Sequence, residues 1–336
     1  MTGGRQHEPT AVTPAPAPTV RAVVVTWNGA HLIRACLDSL VAQDLPQGVE
    51  IVVVDNASTD GTAELLAEHY PQVEVRATEQ NLGFAGGVEV GLAGLDTTYA
   101  VLLNNDATFA PDAVRLLVEH LEAPGHTSVG AATAKIVLTE PDAQGRVLVN
   151  STGNVLTRAG AATDRDWLAV DGEESSEVDV FGFCGGAAAL RASALEEVGT
   201  FDESLFLYYE DTDLSWRLRA GGWDVHYVSS ALARHQHAAS SDATSPLFRY
   251  HNTRNSLLVL GRHAPTTVAL LSHARQTAAL VRHAVIRSES PALLRARRRA
   301  LVDVLRRLPQ TARQRRATWR GRTALRREIY RAGLGA

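Results

Sequence analysis

The chain has 336 residues, is 45% hydrophobic and 21% charged, and carries a formal net charge of −4, which excludes a disordered or fibrous protein and fits one large or two modest domains. Two cysteines, Cys36 and Cys184, exclude a disulfide framework and suit a reducing compartment. No apolar signal-type run follows Met1 and no stretch nears the roughly 20 apolar residues of a membrane span, so a cytoplasmic location is expected.

The net charge hides an asymmetry. Residues 261–336 hold 18 Arg against Glu289, Asp303 and Glu328, a net of +15, which leaves −19 on residues 1–260. Lys135 is the only lysine, so part of the preference for Arg is compositional.

In chain order, residues 1–20 are rich in Pro, Ala and Thr and are expected to be disordered. Arg21–Thr26 is a short β-branched strand, followed by a helix to Gln43. Val49–Val54 repeats the strand signal and Thr62–Tyr70 the helix, with further strands at Val73–Ala77 and Tyr99–Leu103. Pro111 and Asp112 open another helix. Continuous apolar strands separated by helices predict a mainly parallel sheet covered on both faces. Residues 141–180 are irregular and read as a connecting segment or lid; apolar periodicity resumes at Val178–Leu190, and Trp223–Val228 is a further strand. From about residue 245 the chain reads as helices separated by Pro265, Pro291 and Pro309.

Ligands of such sheets bind beyond the carboxyl ends of the strands. That rule selects Trp27-Asn28-Gly29, Asp55-Asn-Ala-Ser-Thr-Asp-Gly61, Asn81-Leu-Gly-Phe-Ala-Gly-Gly87 and Asn104-Asn-Asp106. Asp55 is either a turn and helix cap or a ligand of a nucleotide base or ribose. The glycines at 83, 86 and 87 let backbone approach a phosphate or ribose. They form neither the dinucleotide fingerprint nor the phosphate loop, so neither NAD nor ATP is indicated. Asp106 leaves a wholly apolar strand beside two asparagines, a placement that suits a hard cation shared with a diphosphate, or a cap before Pro111. His235 and His237 follow the last core strand, where one of them can serve as a ligand.

Phe206-Leu-Tyr-Tyr-Glu-Asp-Thr-Asp-Leu-Ser-Trp-Arg-Leu-Arg219 carries three carboxylates in the first turn of a helix fixed to the core by Leu214 and Leu218. The helix dipole favours negative charge there. The cluster serves either as capping or as a rigid general base.

Together these residues resemble the family 2 glycosyltransferases of GT-A fold, in the branch that includes bacterial rhamnosyltransferases. The landmarks are Val24-Val-Thr-Trp-Asn28, Val53-Val-Asp-Asn-Ala-Ser-Thr-Asp-Gly61, Asn81-Leu-Gly-Phe-Ala-Gly86, Leu102-Leu-Asn-Asn-Asp106, Gly185-Gly-Ala, Gly199-Thr-Phe-Asp202 and Tyr209-Glu-Asp-Thr-Asp-Leu214. The resemblance implies a mixed, mainly parallel α/β sheet over residues 21–240, followed by a helical Arg-rich region over 241–336. It implies that Thr26, Asn28, Asp55, Asn81, Gly83, Gly86 and Asn105 line the nucleotide, and that Gly185 and Gly186 leave room for the sugar or acceptor. Asp106 corresponds to the last acid of the metal-binding motif, whose first acid is here Asn104. His235, ahead of His237, fits a distal ligand of Mg2+ or Mn2+. Asp211 matches the catalytic base, with Glu210 adjacent and able to take that role.

The implied activity is inverting transfer from a nucleotide sugar, dTDP-rhamnose first and a UDP- or GDP-sugar as alternative (galactofuranose among them), to a polyprenyl-linked or polysaccharide acceptor. The Arg/Leu mixture of residues 292–331 is expected either to lie on the inner face of the plasma membrane or to dock on the acidic body. Nucleic acid is not an expected partner, since the tail has few aromatics. Two rival readings are a sugar nucleotidyltransferase and a non-catalytic scaffold. The first loop, Trp27-Asn-Gly-Ala-His31, has no Lys or Arg for the former.

Overall fold

The computed structural model describes residues 19–236, 245–321 and 323–335. The expected disorder of the extreme N-terminus and the placement of His237 lie outside the described residues. The elements are β1 Val20–Thr26, α1 Ile33–Val41, β2 Glu50–Asp55, α2 Thr62–His69, β3 Glu74–Ala77, α3 Gly83–Leu92, β4 Tyr99–Leu103, β5 Ala107–Phe109, α4 Ala113–Glu122 and β6 Val129–Leu138. There follow β7 Val149–Ser151, β8 Asn154–Leu156, β9 Ala162–Asp164, β10 Ala187–Arg191, α5 Ala192–Val198, α6 Glu210–Gly221 and β11 Asp224–His235. Five helices close the chain: α7 Pro246–His263, α8 Thr266–Ile286, α9 Pro291–Arg306, α10 Leu308–Trp319 and α11 Thr323–Ala332.

The sheet runs β3-β2-β1-β4-β10-β6-β11-β5, with β7 paired to β6. Strands β3, β2, β1 and β4 are parallel, in register so that Thr26 faces Asp55 and Asp55 faces Ala77. Their carboxyl ends therefore finish at one level, which sets the crevice. Strand β10 enters antiparallel between β4 and β6, and β11 returns parallel to β6. Every residue of β4 is buried, as a strand covered by helices on both faces requires.

Two features extend the expectation from sequence. Strand β6 lies between α4 and the irregular segment, and its Val-Gly-Ala-Ala-Thr-Ala run is too small-sided to announce a strand. Strand β11 does not stop at Val228: it passes an irregularity between Val228 and Leu232 and continues to His235. His235 is thus the last residue of a core strand, opposite Ala107 of β5 and Leu138 of β6.

The helices after β11 pack back on the sheet domain. Trp216 of α6 stacks on His263 and meets Trp319 edge-on, within a cluster that includes Phe181, Leu257, Val304 and Tyr330. The end of the chain returns to β8, where Leu156 N–H donates to Gly333 and Gly335 N–H to Leu156. No helix among the described residues is long and apolar enough to cross a membrane.

Candidate active site

The first side of the crevice is built from the loops after β1, β2 and β3. Asn28 adopts φ +52°, and its Oδ1 accepts from Thr59 N–H at 2.8 Å while its own N–H donates to Ser58 Oγ at 2.9 Å. One carboxylate oxygen of buried Asp55 accepts from Ser58 N–H at 3.0 Å. The turn-forming reading of Asp55 is thus realised, and it holds the carboxyl rigid at the strand end. Asn105 donates to Thr26 Oγ1 at 3.0 Å, joining the ends of β4 and β1. A Cβ at Gly29 would collide with both groups, so the first loop seats directly on that pair.

The third loop is held by a residue that sequence reasoning did not single out. Asn56, 1% exposed, donates to Asn81 Oδ1 and Gly83 carbonyl and accepts from Leu82 N–H at 2.8 Å. Asn81 Oδ1 also accepts from Gly83 N–H at 2.8 Å. Gly83 has φ +73°, and a Cβ there would run into the backbone of Phe206. The glycine is therefore required for the approach of the 206–209 loop, whatever else it contacts. Gly86, in the next turn, leaves no room for a Cβ against Leu82.

Across the crevice, Asn104 N–H donates to Gly186 carbonyl and Asn104 carbonyl accepts from Ala107 N–H, each at 3.0 Å. This turn brings Asp106 to His235, with Oδ1 3.1 Å from Nε2. His235 Nδ1 faces Asn150 Oδ1 at 2.5 Å. With Nδ1 turned to Asn150, Nε2 faces the Asp106 carboxylate, so an imidazole nitrogen and a carboxylate oxygen, both of a kind that ligates a divalent ion, stand side by side. Asp106 and His235 thus fit as ligands of a divalent ion, and Asn150 as the outer partner that orients the imidazole.

The three acids of α6 separate by environment once folded. Asp213 points away from the crevice, to Arg217, Arg262 and His263, each 2.9 Å away. Burial opposes its charge, yet Arg217, His263 and Arg262 hold its carboxyl well below the usual range. Glu210 is buried, and its Oε2 has no hydrogen-bond partner among the described residues. Burial, and then the Asp211 charge, push its carboxyl up to about 8, so it is protonated at neutral pH.

Asp211 faces the glycine pair. Its Oδ2 accepts from Asn154 Nδ2 at 3.1 Å and Gly185 N–H at 3.2 Å, and its Oδ1 from Thr212 N–H at 2.6 Å. Burial raises its pKa, and the same hydrogen bonds oppose the rise. A Cβ on Gly185 would lie 3.6 Å from that of Asp211, and one on Gly186 would lie 3.4 Å from Asn104 Nδ2. The two glycines thus form the floor between the carboxylate and the Asn104–Asp106 turn.

The irregular segment supplies a third carboxyl. Burial pushes Asp164 of β9 up to about 6; a Ser151 hydrogen bond opposes this, the Asp211 charge adds to it, and His235 and Cys184 oppose it. Nothing in the sequence marks Asp164, because only pairing of β8 with β9 turns residues 154–164 toward α6.

The loop before α6 is strained: Phe206, Tyr208 and Tyr209 have φ of +67°, +69° and +70°. Such values are uncommon outside glycine and persist only where surroundings enforce them. Asn255 of α7 donates to the carbonyls of Leu205, Leu207 and Tyr208, each at 2.8 Å, and Arg254 to those of Ser204 and Leu205. These two are further residues that the sequence reading missed; the signal available was an Arg-Asn pair within a buried helix face.

The glycosyl transferase family 2 profile matches residues 22–199, which contain the first three loops, the Asp106 turn and the glycine pair. The chain belongs to glycosyltransferase family 2. It is 30% identical over 305 residues to the N-acetylglucosaminyl-diphospho-decaprenol L-rhamnosyltransferase of Mycobacterium tuberculosis, an alignment covering 83% of this chain and 95% of that one. A further relative is the N-acetylglucosaminyltransferase of Neorhizobium galegae, 27% identical over 69% of this glycosyltransferase and 53% of its relative.

Among solved structures, the Pyrobaculum calidifontis mannosyltransferase PcManGT in complex with GDP-Man and Mn2+ aligns at TM-score 0.53 and 21% identity, over 97% of this chain and 90% of that one. GalNAc-T7 with UDP, GalNAc and Mn2+ aligns at TM-score 0.58 and 15% identity, over 74% of this chain and 48% of that one. The glycosyltransferase therefore has the GT-A fold expected from its motifs, and it is an enzyme of the glycosyltransferase class.

Proposed function

We propose that this enzyme transfers a sugar from a nucleoside diphosphate donor to a polyprenyl-diphosphate-linked glycan, with inversion at the anomeric carbon. The observation that carries the reading is the 30% identity to a decaprenol-linked rhamnosyltransferase over nearly that enzyme's whole length. The donor favoured on this ground is dTDP-rhamnose.

Asp211 is the general base in this reading. Its carboxylate reaches the glycine floor, and its raised pKa moves it toward the range useful for accepting a proton near neutrality. Protonated Glu210 stays behind the helix start and supplies no base at pH 7. The acceptor hydroxyl passes its proton to Asp211 as its oxygen attacks the anomeric carbon from the face opposite the leaving diphosphate. Asn28, Asp55, Thr26, Asn105 and Asn81 shape the nucleotide side, and Gly185 and Gly186 admit the sugar or acceptor. Asp106 and His235 would hold Mg2+ or Mn2+, which when bound neutralises charge developing on the leaving diphosphate.

The Arg-rich C-terminal region, which the sequence placed either on the membrane or on the body, is read as contacting the inner membrane face through α8. Along α8, Leu270, Val281, Val285 and Ile286 are exposed beside Arg275, Arg282 and Arg287. A basic helix with an outward apolar stripe suits an anionic lipid surface, while α7, α10 and α11 dock on the body.

The test is transfer from a panel of radiolabelled dTDP-, UDP- and GDP-sugars to a synthetic polyprenyl-diphosphate N-acetylglucosamine in vesicles containing anionic lipid. Transfer of rhamnose from dTDP-rhamnose supports the whole reading, and preference for a UDP- or GDP-sugar corrects the donor. No transfer of any sugar, with no nucleotide binding, overturns it in favour of a scaffold.

A further inference from the structure

Nine residues before His235 on the same strand lies a cluster unconnected with the crevice. His120 lies in the last turn of α4, His126 sits in the turn to β6, and His226 lies on β11 opposite Ala132. At about 3.3 Å per residue of strand, His226 is at most roughly 30 Å from His235. The three imidazoles are half-buried, their rings 4.4 to 5.2 Å apart. One ring nitrogen from each can be chosen so that all three lie within 4.8 Å of one another.

The hydrogen bonds around the rings decide which nitrogens are available. His126 Nδ1 meets the carbonyl of His120 at 2.6 Å. A carbonyl only accepts, so Nδ1 carries the proton and Nε2 keeps its lone pair. An imidazole oriented through a backbone carbonyl in this way is the usual support of a metal-ligating histidine. The turn itself is braced: Val129 N–H donates to His126 carbonyl at 3.0 Å, and Arg191 donates to the carbonyls of Leu121 and His126.

His120 Nε2 and His226 Nδ1 stand 2.9 Å apart. Two nitrogens bound to one tetrahedral ion at about 2.0–2.1 Å lie roughly 3.3 Å apart, so a small opening of this pair admits it. Asp179 and Asp224 lie near enough to favour positive charge at His226. Burial keeps the pair neutral, as ligands must be: His120 is pushed down to about 4, and His226 is lowered.

We propose that His120, His126 and His226 form a binding site for a first-row transition metal ion, Zn2+ by choice, with water in the fourth position. Three imidazoles and no carboxylate oxygen select Zn2+, Co2+ or Ni2+ over Mg2+. The site differs in ligand chemistry from the oxygen-rich side of the crevice. It would tie the end of α4 to the start of β11, the strand whose other end carries His235.

The test uses the full chain, stripped with chelator and then titrated with Zn2+ and with Co2+, in a background of Asp106→Ala and His235→Ala that removes the crevice ligands. The expected result is uptake of one ion per chain, a visible Co2+ spectrum of four-coordinate type, and a Zn2+-dependent rise in Tm. His126→Gln should weaken uptake at least tenfold and abolish the Tm rise, and His226→Gln should do the same. Both variants are checked for wild-type circular dichroism in chelator; should one misfold, the other gives the reading, and Zn2+-induced shifts of the His126 ring resonances in the unmutated background replace both. No uptake in the double variant, uptake undiminished by either Gln substitution, or unshifted His126 resonances would overturn the site.

Discussion

Asn255 donates its side-chain amide to the carbonyl of Tyr208 at 2.8 Å, so a helix of the C-terminal region holds the strained turn that presents Asp211. The same amide reaches Leu205 and Leu207. The carboxylate of Asp211, the proposed base, is thus positioned from two sides, by Asn154 and Gly185 in front and by α7 behind.

Asn255→Ala should lower kcat on the order of 100-fold, because a small displacement of a base is costly in that proportion. Binding of the donor nucleotide should change little, since the hydrogen bonds that hold the 26–29 and 55–61 loops run between those loops. Steady-state kinetics beside calorimetry of nucleotide binding separate the two, and an unchanged kcat would refute the positioning role.

Asp211→Asn should remove about 10²–10⁴-fold of turnover, the range of general base catalysis, with nucleotide affinity retained. Glu210→Gln should keep most of the activity, since Glu210 is already neutral. If the Gln variant is the dead one, the base has been assigned to the wrong acid.

Glu210 also gives a pH signature to stability. Its carboxyl titrates near 8 when folded, against 4.5 ordinarily. Between those values the folded state binds more protons than the unfolded one, so stability falls as pH rises from about 4.5 to 8. Glu210→Gln stays neutral throughout. Its Tm should match wild type at pH 5 and exceed it at pH 8.5, as measured by scanning calorimetry; a gain at pH 5 equal to that at pH 8.5 would contradict the assignment.

Asn150→Ala should weaken Mn2+-dependent binding of a nucleoside diphosphate about 10- to 100-fold, the usual effect of losing the partner that orients a ligating imidazole. Metal-independent binding should be unaffected. Titration of the nucleotide with and without Mn2+ distinguishes this from a general loss of the pocket.

Asp213→Ala leaves Arg262 and His263 buried against α6 without their shared acid. The expected cost is about 3–5 kcal/mol, as for a buried ion pair broken on one side. Thermal unfolding should show a markedly lower Tm, whereas a change within 1 °C would mean that Asp202, 2.8 Å from Arg262, suffices as its partner.

Much of the sheet was legible because β1, β2 and β4 are continuous β-branched or apolar runs, and because helices between them force parallel pairing. The Ala-rich β10 and the small-sided start of β6 were not, since their strand character comes from neighbours on either side and not from their own side chains. At the site, Asp106 and Asp211 stood out as candidates by their place after a strand and at a helix start. His235 was a candidate too, but its station at the end of β11 depends on an irregularity that no local pattern announces.

What the sequence determined by itself was the family, the order of the loops and the identity of the acids, because these rest on local residue patterns. Tertiary structure alone decided that burial raises the Glu210 carboxyl, that Asp213 belongs to a buried ion network, and that Asp164, Asn56, Asn150 and Asn255 lie at the crevice or brace it. The reason is physical: the charge state of a carboxyl and the partner of an amide depend on what is packed against them, and those partners lie between 25 and 129 residues away in the chain for the contacts Asn56–Asn81 and Asp106–His235.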